Sequence, residues 1–432
     1  MSKKEWVKNS GKTGLSFAAG LFLFALFAGG LVAESLEDAR IGPLNAEAVK
    51  PAELVRKALT DSLYYKFDKW FAVYKSEIER LERSPRTLDN RIELMKYHFY
   101  FSGLLGELCH TLAFTSKYKI KEIEDQFIYY SNRAKELAVE ILASPGLTTR
   151  QKAQSYLYLG GAEGYIGIFE YGAGNLLTAL INGYQADNHL EQALLLDPNQ
   201  IDAHFGLGIY RYGNSRLGGI GNFIMQGGKD LRLVGLDHIE HAILEGAPSK
   251  PLALKTLAWF YISEQINPAN AEIPQGQPLS VTASRSKVVS LLEMLESQYF
   301  KNPPYPGFIG NKELAMMQAL QFILDSDYAA ARKKFAKVLE ISEDLKNNRG
   351  FAINPQLIDS VKAGIEFCSL MLLQPSKADP DATRSACLKV NEQLNFLSSG
   401  GALVEYDSKK IRSELHSVFY GKLQGLSRQM DC

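Results

Sequence analysis

The sequence predicts an all-α protein built of recurring helix pairs, and three observations carry that prediction. Apolar residues recur at steps of three and four along most of the chain, the spacing that puts them on one face of a helix. Tyr and Phe are plentiful, at 21 and 22, while Val, Ile and Thr do not cluster into the alternating runs that strands require. Short Pro-, Gly- and Ser-containing stretches punctuate the periodic segments and end each helix before the next begins.

The N-terminal residues differ in kind. Lys3, Lys4, Lys8 and Lys12 precede an uncharged run from Thr13 to Ala33, with Leu15 to Phe27 at its centre, and Glu34, Glu37 and Asp38 follow. A basic, then apolar, then acidic layout is that of a secretory signal, with Ala28, Gly30 or Ala33 as cleavage positions. The run is also long enough to stay as an uncleaved membrane anchor. Either outcome places the remaining chain in the periplasm or on the outer face of the inner membrane, because the lysines stay on the cytoplasmic side. No cysteine follows the run, which argues against lipoprotein processing.

Past this leader, apolar residues at Leu63, Phe67, Trp70, Phe71, Tyr74, Ile78 and Leu81 predict one amphipathic helix within Asn45 to Ser84, ended by Ser84 and Pro85. Further helices are predicted from Asp89 through Leu108, from Ile120 to Leu142, and from Thr148 or Thr149 through Phe169. The last carries Gly160, Gly161, Gly164 and Gly167. Each glycine costs a helix about 1 kcal/mol relative to alanine, so such a concentration predicts a neighbouring helix in close approach.

From there the helices recur as pairs. Ala186, Leu190, Ala193, Leu194, Leu196, Asp197 and Pro198 form a second helix with its terminating proline. The next first helix follows with His204, Leu207 and Gly208, flanked by Tyr210 and Tyr212, and its partner carries Gly235, Ile239 and Ala242. Leu254, Leu257, Ala258 and Tyr261 begin another pair, completed from Ser284 to Tyr299. The most regular unit comes last: Ala315, Ala319 and Phe322, a turn at Asp325 to Asp327, then Tyr328, Ala331, Phe335 and Leu339. On these residues the stretch from Gln151 to Ser342, about half of the chain, resembles tetratricopeptide (TPR) repeat proteins. Its order of elements is similar to the divergent subgroup that includes bacterial relatives of the TTC thirty-nine and Iml-two type, and Leu194 to Tyr212, LLLDPNQIDAHFGLGIYRY, is the most specific part. No repeat has the tryptophan expected early in the first helix. The resemblance implies a right-handed superhelix of antiparallel helix pairs, a TPR-like α-solenoid with long inter-helix insertions. The expected organisation is a leader over 1–33, an N-terminal helical segment over 45–147, TPR-like repeats over 148–345 with insertions at 213–231 and 267–278, and a C-terminal capping segment over 354–432.

The candidate chemistry is sparse. Basic and acidic residues balance at 48 each, so no global field draws the chain to nucleic acid. Asp237, His238, Glu240 and His241 share a helix and could assist a metal, but the spacing is not HExxH, and a solvated face is the expected reading. The glycine-rich stretch GNSRLGGIGNFIMQGGK lacks the phosphate-loop pattern and follows no strand; it reads as an irregular loop whose Leu217, Ile220, Phe223, Ile224 and Met225 are expected to pack over the helices, with contact to a ligand or a membrane as the alternative. The aromatic run Tyr97, His98, Phe99, Tyr100, Phe101 is too dense for one buried face, so some rings line a groove or pack on a neighbouring helix. The four cysteines, Cys109, Cys368, Cys387 and Cys432, are too scattered for a disulfide framework or a zinc site and read as small core residues, with a Cys368 to Cys387 bridge left open in an oxidising compartment.

No nucleophile, paired carboxylate or dinucleotide fingerprint appears, so the sequence predicts no enzyme, no cofactor and no metal. The expected function is a scaffold that binds a protein or peptide in the cell envelope, read by His204, Tyr210, Arg211 and Tyr212 on a first helix, with membrane contact through the N-terminal segment. The alternative is a periplasmic solute-binding subunit associated with a transporter of the TRAP class. The two differ in a structural feature: an extended open groove favours the scaffold, and a cavity lined by Tyr, Phe and His favours the solute binder.

Overall fold

Sixteen helices succeed one another among the described residues, which are 51–113, 120–172, 175–269, 279–373, 380–399 and 409–432 of a computed structural model; no strand occurs among them. In chain order they are α1 (Pro51–Ser62), α2 (Asp68–Glu82), α3 (Leu88–Ala113), α4 (Lys121–Leu142), α5 (Thr149–Gly172), α6 (Leu176–Leu196), α7 (Ile201–Leu217), α8 (Gly219–Gln226), α9 (Arg232–Leu244), α10 (Lys250–Ile266), α11 (Val281–Leu295), α12 (Lys312–Leu324), α13 (Tyr328–Asn347), α14 (Pro355–Met371), α15 (Pro380–Ser398) and α16 (Lys409–Met430). The last turn of α11 widens into a π-turn over Glu296–Phe300. Neighbours in sequence pack as neighbours in space, with α3 on α4, α5 on α6, α7 on α9, α10 on α11 and α12 on α13. The leader over 1–33 lies outside the described residues, as does most of the insertion over 267–278. Among the described residues no helix is long and apolar enough to cross a membrane.

Where one helix was expected near the start of the folded part, there are two. Leu63 to Phe67 interrupts it, with Tyr65 in the left-handed region at φ 63°, a conformation that bulky residues rarely adopt. The turn is held from outside. The Tyr65 hydroxyl accepts a hydrogen bond from the Lys312 amide at 2.6 Å, and the Asn311 side chain donates to the Leu63 carbonyl at 2.9 Å. Both contacts come from a residue about 250 positions away, so nothing local in the sequence could have announced the break. The regular unit at 312–347 behaves as its sequence predicts. Asn311 caps α12, accepting from Leu314 N, and Asp327 caps α13, accepting from Ala330 N. Ala315, Ala319, Ala331 and Phe335 are buried between the two helices.

The glycines of α5 mark a close helix crossing. A methyl added at Gly160 would stand 2.9 Å from Leu190 Cγ and 3.0 Å from the Ala186 carbonyl, and one at Gly167 would stand 3.3 Å from the Ala179 carbonyl. Gly160 and Gly167, seven residues apart, therefore admit the α6 backbone. The same device recurs at α7 and α9, where Gly208 and Gly235 face each other. A Cβ on Gly235 would meet the Tyr212 amide nitrogen at 2.6 Å and the Gly208 carbonyl at 2.7 Å. Those are backbone atoms of a packed helix and cannot yield without separating the pair. Gly235→Ala is therefore expected to destabilise the fold by about 2–3 kcal/mol, despite the gain of about 1 kcal/mol in helix propensity. Urea unfolding of the variant beside the parent would show it, and an unchanged midpoint would contradict this crossing.

The insertion over 213–231 is helical rather than an irregular loop. α7 runs through most of its first turn and α8 through its middle, with Gly218 and Gly219 (both at φ 66°) breaking the helix between them and Gly227 capping α8 at φ 64°. Phe223 and Ile224 do not pack over the helices as expected; they are 70% and 56% exposed. They are joined in exposure by Leu177, Ile181 and Tyr184, one stripe along α6.

The centre of the molecule is α10, buried all round from Pro251 to Glu264. It packs on α11 and α9, its chain neighbours, and also on α1 near the start of the described chain and α16 at its end. A helix with water on no side has to satisfy every polar side chain internally. Its charged side chains are satisfied through two buried ionic networks. Lys255 Nζ bonds Glu107 and Glu313 at 2.7 Å each, and Trp259 donates to Glu313 at 2.9 Å. Glu264 receives Arg232 at 3.1 Å, Tyr212 at 2.9 Å and the Ala269 amide at 2.7 Å, with Arg216 at 3.4 Å.

At the C-terminal end the cysteine expectation is corrected. Cys387 is bonded to Cys432, not to Cys368, with Cα atoms 5.5 Å apart, while Cys109 and Cys368 are buried thiols outside the bridge. Cys368 is taken up in the core on α14, whereas Cys387 on α15 meets the chain end as α16 folds back beside it. The bridge spans a sequence separation of 45 residues, a loop whose closure is worth about 2–4 kcal/mol. Reduction is expected to remove that stability and to open the α15–α16 hairpin first in limited proteolysis, while the helices before Leu373 resist. Equal cleavage rates in oxidised and reduced protein would refute it.

Candidate functional site

The four residues expected to read a partner, His204, Tyr210, Arg211 and Tyr212, all lie on α7, but the helix sends them to three different places. At about 100° per residue, Asp202, Phe205, Gly206, Ile209 and Tyr210 form one stripe, and all five line a cavity. Tyr212 falls at the far edge of that stripe, about 200° on from Tyr210, and turns toward α10. It is fully buried, stacks on Phe260 at 3.7 Å between ring centroids, and its hydroxyl donates to Glu264. It is a core residue, unavailable to a partner. His204 and Arg211, seven residues apart, share a third, half-exposed face.

On that face the imidazoles of His204 and His238 meet, with Nδ1 atoms 2.8 Å apart, and His238 Nε2 lies 2.9 Å from Arg211. Arg211 is paired in turn with Asp187 at 3.3 Å and with Glu191. Burial, Arg211 and His204 push the His238 imidazole down to about 4, and burial and His241 lower that of His204, so both are neutral near pH 7. Glu240 turns away to Tyr261 and to Lys287 at 2.6 Å. The helix-borne Asp237, His238, Glu240 and His241 therefore do not converge, and no group of His, Cys, Asp and Glu suited to a metal is found among the described residues.

The cavity is the larger feature. It opens between α1, α3, α5, α7 and the N-terminus of α10, with Tyr74 of α2 and Leu190 of α6 completing the wall, and its free volume is about 110 Å³. Its wall is aromatic and apolar. Phe99 and Tyr100 from α3, Tyr158 and Tyr165 from α5, and Phe205 and Tyr210 from α7 contribute rings, with Val55, Leu59, Ile168 and Leu252 between them. The dense run at 97–101 is explained by its division between faces. Tyr97 packs on Tyr74, Phe101 on Tyr130, and Phe99 and Tyr100 face the cavity. His98 is fully buried beside Tyr130, with neither ring nitrogen hydrogen-bonded, and burial with nearby Arg133 pushes its imidazole down to about 4.

The rings brace one another as well as the cavity. Phe99 and Tyr165 stack at 5.0 Å, Phe99 meets Tyr158 edge-on at 5.2 Å, and the Tyr100 and Tyr158 hydroxyls share a hydrogen bond. Burial raises the phenols of Tyr158, Tyr165 and Tyr210 far above the range in which they ionise in neutral solution, so the wall holds neutral hydroxyls. The glycines serve the cavity too. A Cβ at Gly161 would collide with the Phe99 ring at 2.6 Å, whereas one at Gly164 would find nothing nearer than 4.0 Å. Gly164 thus leaves space that a side chain would fill.

Sequence reading placed Tyr210 among binding residues; of the Tyr, Phe and His expected to line a solute cavity, Tyr and Phe are in the wall and His is not among its described residues. It missed Tyr158, Tyr165 and Asp202, because a cavity shared by seven helices has no linear signature; the glycine cluster on α5 was the one sign of it. Compared with known proteins, the chain matches no family model, no curated protein and no solved structure.

Proposed function

We propose that this protein binds a small apolar or aromatic molecule in the cavity between α3, α5 and α7, as a binding protein rather than a catalyst. The carrying observation is the cavity wall, whose tyrosines and phenylalanines are braced by mutual contacts and offer apolar surface with a few hydroxyls, the composition of a ligand pocket. Of the two readings the sequence admits, this is the solute binder. The chain-order packing of helix pairs supports a TPR-like superhelix, and the burial of α10 on all sides supports one wound tightly on itself. The Cys387–Cys432 bridge supports export to an oxidising compartment, as the leader implies.

The test uses N-phenyl-1-naphthylamine, a neutral apolar dye whose emission rises on leaving water. The parent protein is expected to bind it saturably, and Gly164→Leu, which occupies open space, is expected to abolish the enhancement while keeping the melting temperature. No enhancement with the parent, or an equal one with the variant, would sink the proposal. The scaffold reading keeps one supporting observation, the exposed Leu177, Ile181, Tyr184, Phe223 and Ile224 on α6 and α8. A partner held there would be lost on Phe223→Asp and unaffected by Gly164→Leu.

A further inference from the structure

Resting on the cavity as a ligand site, we infer that the ligand is a cation, an apolar organic amine or quaternary ammonium held by Asp202 and the surrounding tyrosine rings. Among the described residues the lining contains no Lys, Arg or His, and Asp202 is its only charged residue. Asp202 lies in the first turn of α7, on the stripe that carries Phe205, Ile209 and Tyr210 along the wall. One of its oxygens is committed. Oδ1 accepts from the Ser249 amide at 3.1 Å and from the Ser249 hydroxyl at 2.6 Å, which anchors the residue that begins α10.

Those bonds fix the carboxylate in place and leave Oδ2 to serve a guest. Arg56 is the cation nearest in influence, but its guanidinium donates to the Gly246 carbonyl at 2.8 Å and is itself exposed, outside the lining. The carboxylate lines the same cavity as Tyr100, Tyr158 and Tyr165, and, after burial, its negative charge helps raise their phenols. A carboxylate beside several aromatic rings, in a wall without competing cations, is the combination that recognises ammonium groups: the rings attract the charge through their quadrupoles while contacting the methyl or methylene groups around it. An anionic guest would meet the charge of Asp202, and a neutral one would leave that carboxylate, whose pKa burial pushes up, with only the Ser249 bonds and the outlying charge of Arg56 to stabilise it.

The experiment pairs two probes of one shape, benzyltrimethylammonium and neopentylbenzene, which differ in a charged nitrogen against a carbon. Each competes with N-phenyl-1-naphthylamine on the full chain. The cation is expected to bind at least about tenfold more tightly than its neutral twin, and Asp202→Asn to erase that difference. Asparagine keeps an oxygen for Ser249, and the melting temperature of the variant is checked against the parent. Tyr165→Leu, which removes a ring and no charge, is expected to weaken the cation several-fold more than the neutral probe. Equal or tighter binding of neopentylbenzene, or a cation preference that survives Asp202→Asn, overturns the inference while the cavity reading stands on the dye. If dye, cation and neutral probe all fail to bind the parent, both fall together.

Discussion

Replacing Lys255 by methionine is expected to cost about 3–5 kcal/mol at pH 7, the range for stranding buried charge, and to cost less in acid. Lys255 is fully enclosed and is bonded to two carboxylates, Glu107 and Glu313, at 2.7 Å each. With the ammonium removed, two buried carboxylates face each other. They cannot both stay ionised so close together, and the pKa of at least one must rise. In the parent the reverse holds: Lys255, with His110 and the Trp259 donor, keeps Glu313 well below the usual carboxylate range. Lys312 is a poor substitute. Burial pushes it down to about 7, and its ammonium is already donated to the Thr111 carbonyl.

The sign of the pH dependence follows. In the variant the folded-state pKa lies above the unfolded value, so folding binds a proton, and stability is present below the unfolded pKa and lost as pH rises through the raised one. In the parent the depressed Glu313 contributes stability above the unfolded pKa and loses it only below about pH 4.5. The gap between parent and Lys255→Met is therefore expected to narrow from pH 7 to pH 5. Chemical denaturation at both pH values would measure it; a gap that widens or stays constant would mean that the two carboxylates do not depend on Lys255.

The sequence carried the helices well and their meeting points poorly, and the reason is physical. Spacing of apolar residues reports the local face of a helix, so the extents of α3, α4, α12 and α13 were legible, as was the close approach demanded by Gly160 and Gly167. The break at Leu63 to Phe67 was not, because the groups that hold it lie on residues 311 and 312. The cysteine bridge was not legible either: the cysteines read as core residues with a Cys368 to Cys387 bridge left open, while the fold-back of α16 brought Cys432 to Cys387. Of the four residues picked on α7, one reached the cavity and one went to the core, since a single turn of helix separates those fates. Tyr212 looked like a surface aromatic until α10 was placed against it.

The second large effect concerns Glu264, on the far half of the same helix. Its carboxylate is fully buried between two guanidiniums, Arg232 at 3.1 Å and Arg216 at 3.4 Å, and it also takes the Tyr212 hydroxyl. Glu264→Gln keeps the shape and removes the charge, so it is expected to cost about 3 kcal/mol, toward the lower end for a broken buried network, because each arginine keeps a second acid. Arg232 retains Asp230 at 2.8 Å and Arg216 retains Glu414 at 2.6 Å. Glu414 lies on α16, the helix that the disulfide ties to α15, so α16 reaches the central helix through Arg216. This makes the two ends of the argument additive or not in a measurable way. If Glu264 positions Arg216 for Glu414, then Glu264→Gln and Glu414→Gln together cost less than the sum of the two alone, by at least about 0.5 kcal/mol, the coupling expected within one network. Strict additivity in urea unfolding would show that α16 docks independently of Glu264, through the Phe367 and Phe419 ring contact at 4.9 Å and its apolar face.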